Sequence, residues 1–354
     1  MTKNRVCKGC GRVLSTDPKS ISYTNDLNNE YCLRCWNLRN YGKNTNEKLA
    51  TKIANENVKN FKISEKDTVI LINDILCINF DLIKKYCSYP HVIYVFNKLD
   101  TVLNRNNYEI IVKNIKNVLA QFEIKNPQIV LTSVKTNYGI KKLNDLVIHQ
   151  PLKVKTFFIG DTNAGKSSLL NKLIYSNYKH KDKNELITSP YLNTSLDYKK
   201  IKINQHNVID CPGFNYENNI VNTIQNSEII PKLLKLKKPN SCFFLVKNNQ
   251  SFILDKFGYI TITPKENCSI SFYLATNTIV TRCKPDKVEQ SYKNLKSEIK
   301  NKKIKLVKND ITKLYQSTFI QINGLGHIYV KNAKNIELTT FENVKIDVLE
   351  GRIC

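Results

Sequence analysis

The chain has 354 residues, a formal net charge of +25 at neutral pH and 41% hydrophobic residues. This length allows two or three domains, and no apolar run reaches the ~18 residues of a membrane-spanning helix. The positive charge favours a polyanionic partner such as RNA. Because 11 cysteines occur without a secretory signal, we expect a cytoplasmic protein that has no disulfide framework and no membrane partner.

Residues 1–45 form a short polar module with two Cys-x-x-Cys pairs, Cys7 with Cys10 and Cys32 with Cys35, separated by 21 residues. This spacing predicts a tetrahedral zinc site with four cysteine ligands. So short a segment has too little apolar area for a core, and we expect its folding to depend on the metal. A redox pair is the alternative, which the matched second pair and the lack of a thioredoxin-like pattern disfavour.

Basic and aromatic residues lie among these cysteines, namely Lys8, Arg12, Arg34, Trp36 and Arg39. Their mixture suits contact with an RNA backbone and stacking on a base. The other interpretation is structural, with Trp36 as the small core of the module.

Residues 46–240 begin with a polar linker or exposed helix and then alternate between strand-like and helix-like segments. Short β-branched or aromatic runs predict buried parallel strands at 69–72, 92–96, 129–131, 156–159 and 208–209. Segments of helix length lie between them at 106–122, 140–149 and 166–176. This pattern predicts an α/β domain with a doubly wound, mostly parallel sheet.

The sequence Asn-Lys-Leu-Asp at 97–100 directly follows the second predicted strand. The carboxylate of Asp100 can accept hydrogen bonds from guanine N1–H and N2–H₂, a donor pair that adenine lacks, so the motif predicts selection of GTP over ATP. Asn97 would tie loops together, and the stem of Lys98 would cover the base. After the third predicted strand, a loop that suits support of the base through a backbone N–H comprises Ser133, Val134 and Lys135.

The sequence Gly-Asp-Thr-Asn-Ala-Gly-Lys-Ser at 160–167 fits the phosphate-loop pattern G-x-x-x-x-G-K-[ST] between a strand and a helix. Its backbone N–H groups would surround the phosphates, Lys166 would reach the β- and γ-phosphates, and the Ser167 hydroxyl would bind Mg²⁺. A glycine-rich turn without a ligand would leave the Lys-Ser pair unexplained. The predicted nucleotide-binding residues are Gly160, Asp161, Asn163, Ala164, Gly165, Lys166, Ser167 and Ser168.

The sequence Asp-Cys-Pro-Gly at 210–213 ends the last predicted strand, 44 residues after Lys166. Asp210 is suited to hold Mg²⁺ through water, and the N–H of Gly213 to sense the γ-phosphate. We therefore predict that Lys166, Ser167, Asp210 and Gly213 serve GTP hydrolysis.

The motif order is circularly permuted, because the guanine motif and its supporting loop precede the phosphate loop and Asp-x-x-Gly. A parallel sheet tolerates this order, since strand neighbours need not follow the chain. A helix at about 220–236 would connect Gly213 to residues 241–354, for which we predict a mostly β C-terminal domain that binds RNA or the ribosome. Within it, residues 287–303 form a lysine-rich helical stretch.

The permuted motifs, the cysteine module and the C-terminal stretches Thr-Arg-Cys-Lys (281–284), Gln-Ser-Tyr (290–292) and Ile-Asn-Gly-Leu-Gly (322–326) together resemble the YqeH-type circularly permuted GTPases. The resemblance covers nearly the whole chain. It implies hydrolysis of GTP to GDP with Mg²⁺, coupled to binding of a small (30S) ribosomal subunit, its precursor or its rRNA.

The resemblance also bears on the switch residues. The family's Pro-Gly-Thr-Thr segment reads Leu-Asn-Thr-Ser at 192–195, so Thr194 or Ser195 would give a hydroxyl to Mg²⁺, with Ser195 the better positional match. Asn163 matches the phosphate-loop Asn that helps to coordinate K⁺ in related potassium-stimulated GTPases and so joins the predicted catalytic residues. The alternative is an Asn that merely favours the turn. Phe214 stands where a water-orienting Gln occurs elsewhere, which predicts slow turnover raised by K⁺ or a ribosomal partner.

Two functions are consistent with these features. The leading hypothesis is a GTPase that assists assembly of the small ribosomal subunit. The alternative is a non-catalytic scaffold in which GTP orders an RNA-binding protein, an idea that Phe214 keeps open. The oligomeric state is left open by the sequence.

Overall fold

The computed structural model describes residues 5–41, 62–102, 107–177, 198–214, 218–224, 240–275, 278–296 and 305–354. The described residues within Met1–Ile75, Asn79–Asp100 and Asn126–Asn215 form one compact unit. Those within Leu76–Ile78, Thr101–Lys125 and Tyr216–Cys354 form a second. Two early segments are therefore grouped with the C-terminal chain, and the division of the sequence into three domains stays a prediction.

The first unit is built on a six-stranded sheet. Its strands are β1 (Thr68–Asp74), β2 (Val92–Asn97), β3 (Gln128–Leu131), β4 (Lys155–Gly160), β5 (Lys199–Ile203) and β6 (His206–Asp210). The order is β3-β2-β1-β4-β6-β5, and every pairing is parallel except the β5–β6 pairing at one edge. Strand order reverses between β1 and β4, and ligands of open α/β sheets bind where the strand order reverses. This sheet confirms the predicted fold class.

Seven helices lie in the described part of the chain: α1 (Leu33–Tyr41), α2 (Phe80–Tyr86), α3 (Tyr108–Ala120), α4 (Ile140–Ile148), α5 (Lys166–Asn177), α6 (Ile220–Ile224) and α7 (Val288–Lys296). In the longer helices, apolar side chains recur every three or four residues and so lie on one face of the 3.6-residue turn. In α4 the buried residues are Ile140, Leu143 and Val147. None of the helices among the described residues is long and apolar enough to cross a membrane.

The second unit contains an eight-stranded sheet whose pairings are all antiparallel. Its strands are β7 (Asn240–Leu245), β8 (Gln250–Leu254), β9 (Gly258–Leu274), β10 (Val280–Cys283), β11 (Leu306–Asp310), β12 (Ser317–Ile322), β13 (Gly326–Phe341) and β14 (Ile346–Glu350). The long strands β9 and β13 pair with each other and bury alternate residues, as the two-residue repeat of a strand requires. The mostly β character predicted for the C-terminal part is confirmed.

All five strands predicted for the first unit occur, and the three predicted helices correspond to α3, α4 and α5. The elements α1, α2 and β5 were not predicted. Of the predicted helix 220–236 the structure describes α6, and of the stretch 287–303 it describes α7. The remainders of both lie outside the described residues, and so does the predicted linker or exposed helix at 41–60 apart from Tyr41, which ends α1.

Candidate nucleotide-binding site

The phosphate-loop motif lies between the end of β4 at Gly160 and the start of α5 at Lys166. Asn163 and Gly165 have φ angles of 69° and 88°, a left-handed backbone region that favours Gly and Asn. A Cβ atom on Gly165 would lie 2.3 Å from Nδ2 of Asn97. Glycine is therefore needed here so that the guanine motif can approach the phosphate loop.

Asn97 joins the guanine motif to the phosphate loop. Its Nδ2 donates a 2.9 Å hydrogen bond to the carbonyl oxygen of Ala164, and its Oδ1 accepts one of 3.1 Å from Thr132 Oγ1. The Asn97 side chain is buried, so these hydrogen bonds are made away from competing water. One amide thus connects the ends of β2, β3 and β4, although Asn97 and Ala164 are 67 residues apart.

The predicted guanine-selecting residues lie together after β2 and β3. Ser133 Oγ donates a 2.6 Å hydrogen bond to Oδ1 of Asp100, and Lys135 Nζ lies 3.9 Å from Oδ2 of the same carboxylate. Lys98 has a φ of 62°, and its Nζ forms a 2.7 Å ion pair with Asp74 Oδ2 at the end of β1. Val134 packs against the core of the sheet.

The predicted phosphate and Mg²⁺ residues meet between α5 and β6. Lys166 Nζ lies 3.5 Å from Asp210 Oδ1, and both side chains are almost fully buried. Ser167 and Ser168 are partly buried in the first turn of α5. Burial raises the pKa of the neighbouring Cys211 thiol well above its ordinary value, so this cysteine is a neutral core residue.

The Asp-x-x-Gly segment is bridged to the phosphate loop. The backbone N–H of Thr162 donates to the carbonyl oxygen of Phe214 at 2.9 Å, and the N–H of Phe214 donates to that of Gly160 at 3.1 Å. Thr162 Oγ1 adds a third hydrogen bond of 3.1 Å to the Phe214 carbonyl. A Cβ atom on Gly213 would lie 3.0 Å from Thr162 Cα, which makes glycine the residue that fits this approach.

Two residues beside this bridge belong to none of the sequence motifs and were not predicted as site residues. Asn79 caps the N-terminus of α2 and donates a 2.6 Å hydrogen bond from Nδ2 to Asp161 Oδ1. Lys85, in the last turn of α2, places Nζ 5.0 Å from the ring centroid of Phe214, a cation–π distance. An Asn before a helical segment is a capping signal, but nothing local in the sequence indicates its contact with Asp161.

The four predicted zinc ligands are brought together in the N-terminal module. Their Sγ atoms lie within 4.8 Å of one another, and all four side chains are buried. The Sγ atoms of Cys10 and Cys32 are 3.9 Å apart, close to the ~3.8 Å between sulfurs around a tetrahedral metal with Zn–S bonds of ~2.3 Å. Hydrogen bonding to Cys10 lowers the pKa of Cys7 and Cys32, whereas hydrogen bonding to Cys32 raises the pKa of Cys10 and hydrogen bonding to Cys10 raises that of Cys35. The group therefore fits zinc.

The other residues of the module differ in exposure. Trp36 is 44% exposed, so it is not the core of the module, whereas Arg34 is buried. The small core consists of the four cysteines with Leu14 and Ile21, and Tyr31 packs against it.

Comparison with known proteins agrees with the permuted arrangement. The chain is 23% identical over 352 residues to the Bacillus subtilis protein YqeH, itself described as uncharacterized, and the match covers 93% of each chain. Residues 49–218 match the family model described as RsgA GTPase, a range that includes the guanine motif and then the phosphate loop. The chain is a GTPase with circularly permuted motifs, similar to YqeH over nearly its whole length.

Other comparisons cover parts of the chain. Residues 155–310 match the family model described as 50S ribosome-binding GTPase. A Clostridium beijerinckii protein named small ribosomal subunit biogenesis GTPase RsgA is 30% identical over 144 residues, 39% of this chain and 45% of that protein. The crystal structure of YjeQ from Thermotoga maritima is 22% identical and covers 43% of this chain and 49% of that one, with a TM-score of 0.30.

The chain is accordingly an enzyme that hydrolyses GTP, with guanine nucleotide and Mg²⁺ as the implied ligands. The matches to GTPase models favour catalysis over the non-catalytic scaffold. The switch residues Thr194 and Ser195 lie outside the described residues, and so do the flanking residues of that segment.

Proposed function

We propose that this GTPase assists assembly of the small ribosomal subunit and that its nucleotide state sets its affinity for the subunit or its rRNA. The hydrogen bond from Asn97 to Ala164 carries the proposal, because it makes one nucleotide site from motifs in permuted order. The related RsgA protein is named for biogenesis of the small subunit. The formal charge of +25 suits an RNA partner.

One family model is described as 50S ribosome-binding, whereas the RsgA relative is named for the small subunit. The match described as 50S ribosome-binding GTPase begins at residue 155, after the guanine motif, and so excludes that motif. The RsgA match spans 49–218 and contains the guanine motif, the phosphate loop and Asp-x-x-Gly in the order found here. The RsgA description therefore fits more of the permuted site, and it favours the small subunit.

In the proposed mechanism the chain positions GTP and stabilises the charge that develops on its phosphates. Asp100 holds the guanine edge, and Lys166 neutralises the β- and γ-phosphates. Ser167, Asp210 and a switch hydroxyl from Ser195 or Thr194 hold Mg²⁺, which screens the phosphate charge when bound. The N–H of Gly213 contacts the γ-phosphate. Loss of the γ-phosphate on hydrolysis therefore releases the Asp-x-x-Gly segment.

K⁺ is proposed as the second cation that speeds hydrolysis. The role rests on the match of Asn163 to the phosphate-loop Asn of potassium-stimulated GTPases, and its left-handed φ of 69° is also what an Asn that merely favours the turn would have. Hydrolysis should be several-fold faster in KCl than in NaCl at equal ionic strength, and Asn163→Ala should remove the difference while nucleotide affinity is kept. Equal rates in both salts would overturn the role of K⁺.

The cysteine module is proposed to bind zinc and, through its exposed Trp36, to contact rRNA in the cytoplasm. Stacking of a base on an exposed aromatic residue stabilises binding by roughly 1–3 kcal/mol. Trp36→Ala should therefore weaken binding to the subunit by about five- to a hundredfold without changing GTP hydrolysis by the free protein.

Co-sedimentation with ribosomal subunits tests the assembly function. Purified protein is mixed with small-subunit precursors, mature small subunits or large subunits, each with a non-hydrolysable GTP analogue, with GDP or without nucleotide. We expect nucleotide-dependent binding to the small-subunit species, lost when Lys166→Ala removes the phosphate contact. Preferential binding to the large subunit, or binding that ignores nucleotide, would contradict the proposal.

A further inference from the structure

Asn79 contacts three separate parts of the first unit through its polar groups. Its Nδ2 donates to Asp161 Oδ1 in the phosphate loop at 2.6 Å. Its Oδ1 accepts from the N–H of Leu82 at 2.8 Å, and its own N–H donates to Asn73 Oδ1 at 3.0 Å. Asn79 is buried and Asp161 is partly buried, and a hydrogen bond to a carboxylate is stronger than one between neutral groups. Asn79 therefore fixes Asp161 relative to β1 and α2.

Helix α2 also contacts the other side of the phosphate-loop bridge. Lys85, near the opposite end of α2, lies over the ring of Phe214. Asp161 and Phe214 pair with each other as an isolated parallel bridge. A single seven-residue helix thus reaches both partners of this bridge through Asn79 and Lys85.

Ile78, the residue before Asn79, forms hydrogen bonds within the second unit. The N–H of Ile78 donates to Gln321 Oε1 at 2.7 Å, and Gln321 Nε2 donates to the carbonyl oxygen of Ile78 at 2.6 Å. Gln321 is fully buried on β12. The carbonyl oxygen of Leu76, two residues before Ile78, lies 3.3 Å from His327 Nδ1. Both polar groups of the Ile78 backbone are therefore satisfied by one side chain.

We propose that Asn79 is a positioning residue for the phosphate loop and that Gln321, by fixing the backbone of Ile78, sets the position of Asn79. The peptide bond between Ile78 and Asn79 connects the two anchors. A change in nucleotide state that shifts Asp161 then alters the hydrogen bonds between Gln321 and Ile78. By linkage, a change at Gln321 alters nucleotide affinity. The inference rests on the GTPase activity and does not require the ribosomal partner.

A double-mutant cycle tests the Asn79–Asp161 contact. Asn79→Ser keeps a side-chain acceptor for the helix cap and removes the amide donor, while Asp161→Ala removes the acceptor and keeps the cap. Binding of a fluorescent GTP analogue is measured without denaturant. Urea unfolding of each variant then confirms that the variants are folded to the same extent under the binding conditions. We expect each variant to bind about three- to tenfold more weakly, and the double variant to bind no more weakly than either single one. Additive losses, or unchanged affinity in either variant, would overturn the role of Asn79.

A second comparison tests Gln321 against a neighbour on the same strand. Gln321→Met removes both hydrogen bonds to Ile78, whereas Thr318→Val removes a buried hydrogen bond from Thr318 Oγ1 to the Tyr315 carbonyl. Both changes destabilise β12, but only the first reaches Ile78. We expect Gln321→Met to lower GTP affinity at least about threefold and to make Asn79→Ser nearly silent, while Thr318→Val leaves affinity within about twofold. If the two variants affect affinity equally, or Gln321→Met has no effect, the link through Ile78 is wrong.

Discussion

The Ser133 hydroxyl donates a 2.6 Å hydrogen bond to Oδ1 of Asp100, so the loop after β3 holds the carboxylate that we expect to select guanine. The Asp100 side chain is 19% exposed, which leaves its edge accessible to a base. A carboxylate held in this way needs little reorganisation when the base binds, and such preorganisation raises affinity. Guanine recognition is therefore tuned by a residue outside the Asn-Lys-x-Asp motif.

Asp100→Asn should exchange the base preference of the enzyme. The amide cannot accept both guanine N–H donors, but its NH₂ can donate to the C2 carbonyl of xanthine. We expect GTP affinity to fall by about a hundredfold or more, with a gain for XTP. Competition against a fluorescent GDP analogue measures both affinities. Ser133→Ala, the control, keeps the carboxylate and should weaken GTP binding by only about three- to tenfold; equal losses in the two variants would refute this assignment.

Gly213→Ala should impair hydrolysis more than GDP binding. The added Cβ would lie 2.8 Å from Thr162 Oγ1 and 3.0 Å from its Cα, so the Asp-x-x-Gly segment must move away from the phosphate loop. We expect the single-turnover rate to fall by more than about tenfold, the loss that follows removal of one stabilising backbone donor. GDP affinity should stay within about twofold. Normal hydrolysis would show that the bridge to Phe214 is not needed for catalysis.

Cys10→Ser should remove zinc from the N-terminal module. The Cys10 side chain is fully buried among the other three thiols, and a hydroxyl is a poor zinc ligand. We expect metal analysis to show loss of the bound ion, and limited proteolysis to cut within residues 5–41. Cys87→Ser is the matched control, because its thiol donates to the Lys84 carbonyl far from the cluster, a bond that a hydroxyl can replace. Retention of zinc in the first variant would contradict the four-cysteine site.

His327 should make the protein less stable in mild acid. Burial lowers the pKa of His327 from 6.5 to about 4, and its Nε2 has no hydrogen-bond partner among the described residues. The unfolded chain therefore binds a proton between pH 6.5 and 4 that the folded chain does not. The free energy of unfolding therefore decreases as the pH is lowered through this window, and the whole decrease is on the order of 3 kcal/mol.

The variant His327→Phe isolates this effect. Phenylalanine keeps the ring packing against Tyr273 and Phe319 but cannot be protonated, so urea unfolding should show a smaller loss between pH 7 and pH 4.5 than in the parent protein. Loss of the contact to Leu76 lowers stability by about 1 kcal/mol at every pH alike. Parallel curves for His327→Phe and the parent protein would count against a buried neutral histidine.

The sequence was sufficient to predict the central sheet and the motif positions, because each motif follows a buried run rich in Val, Ile and Phe. The phosphate loop and the guanine motif meet because parallel strands end at the same edge of the sheet. Helix α2 was missed, since seven residues are too few for a reliable helical repeat. The contacts of Asn79 with Asp161 and of Gln321 with Ile78 span 82 and 243 residues, and no local pattern encodes such pairings.

The grouping of α3 with the second unit was also not predictable. Its buried residues Ile111, Ile115, Val118 and Leu119 form a regular apolar face, but periodicity does not show which core that face joins. The grouping is accompanied by hydrogen bonds to the chain end: Asn114 Nδ2 donates to the Ile353 carbonyl, and Gln121 exchanges two hydrogen bonds with the backbone of Glu350.

The pairing of Gln121 with Glu350 has a consequence for the order in which the protein is made. The two residues are 229 positions apart, and at roughly 5–20 residues per second a ribosome needs on the order of ten to fifty seconds to synthesise the chain between them. During that time α3 has emerged without the strand end to which it binds. The hydrogen bonds of α3 to the chain end therefore form only when synthesis is almost finished, whereas Asn97 and Ala164, separated by 67 residues, can meet about three times sooner.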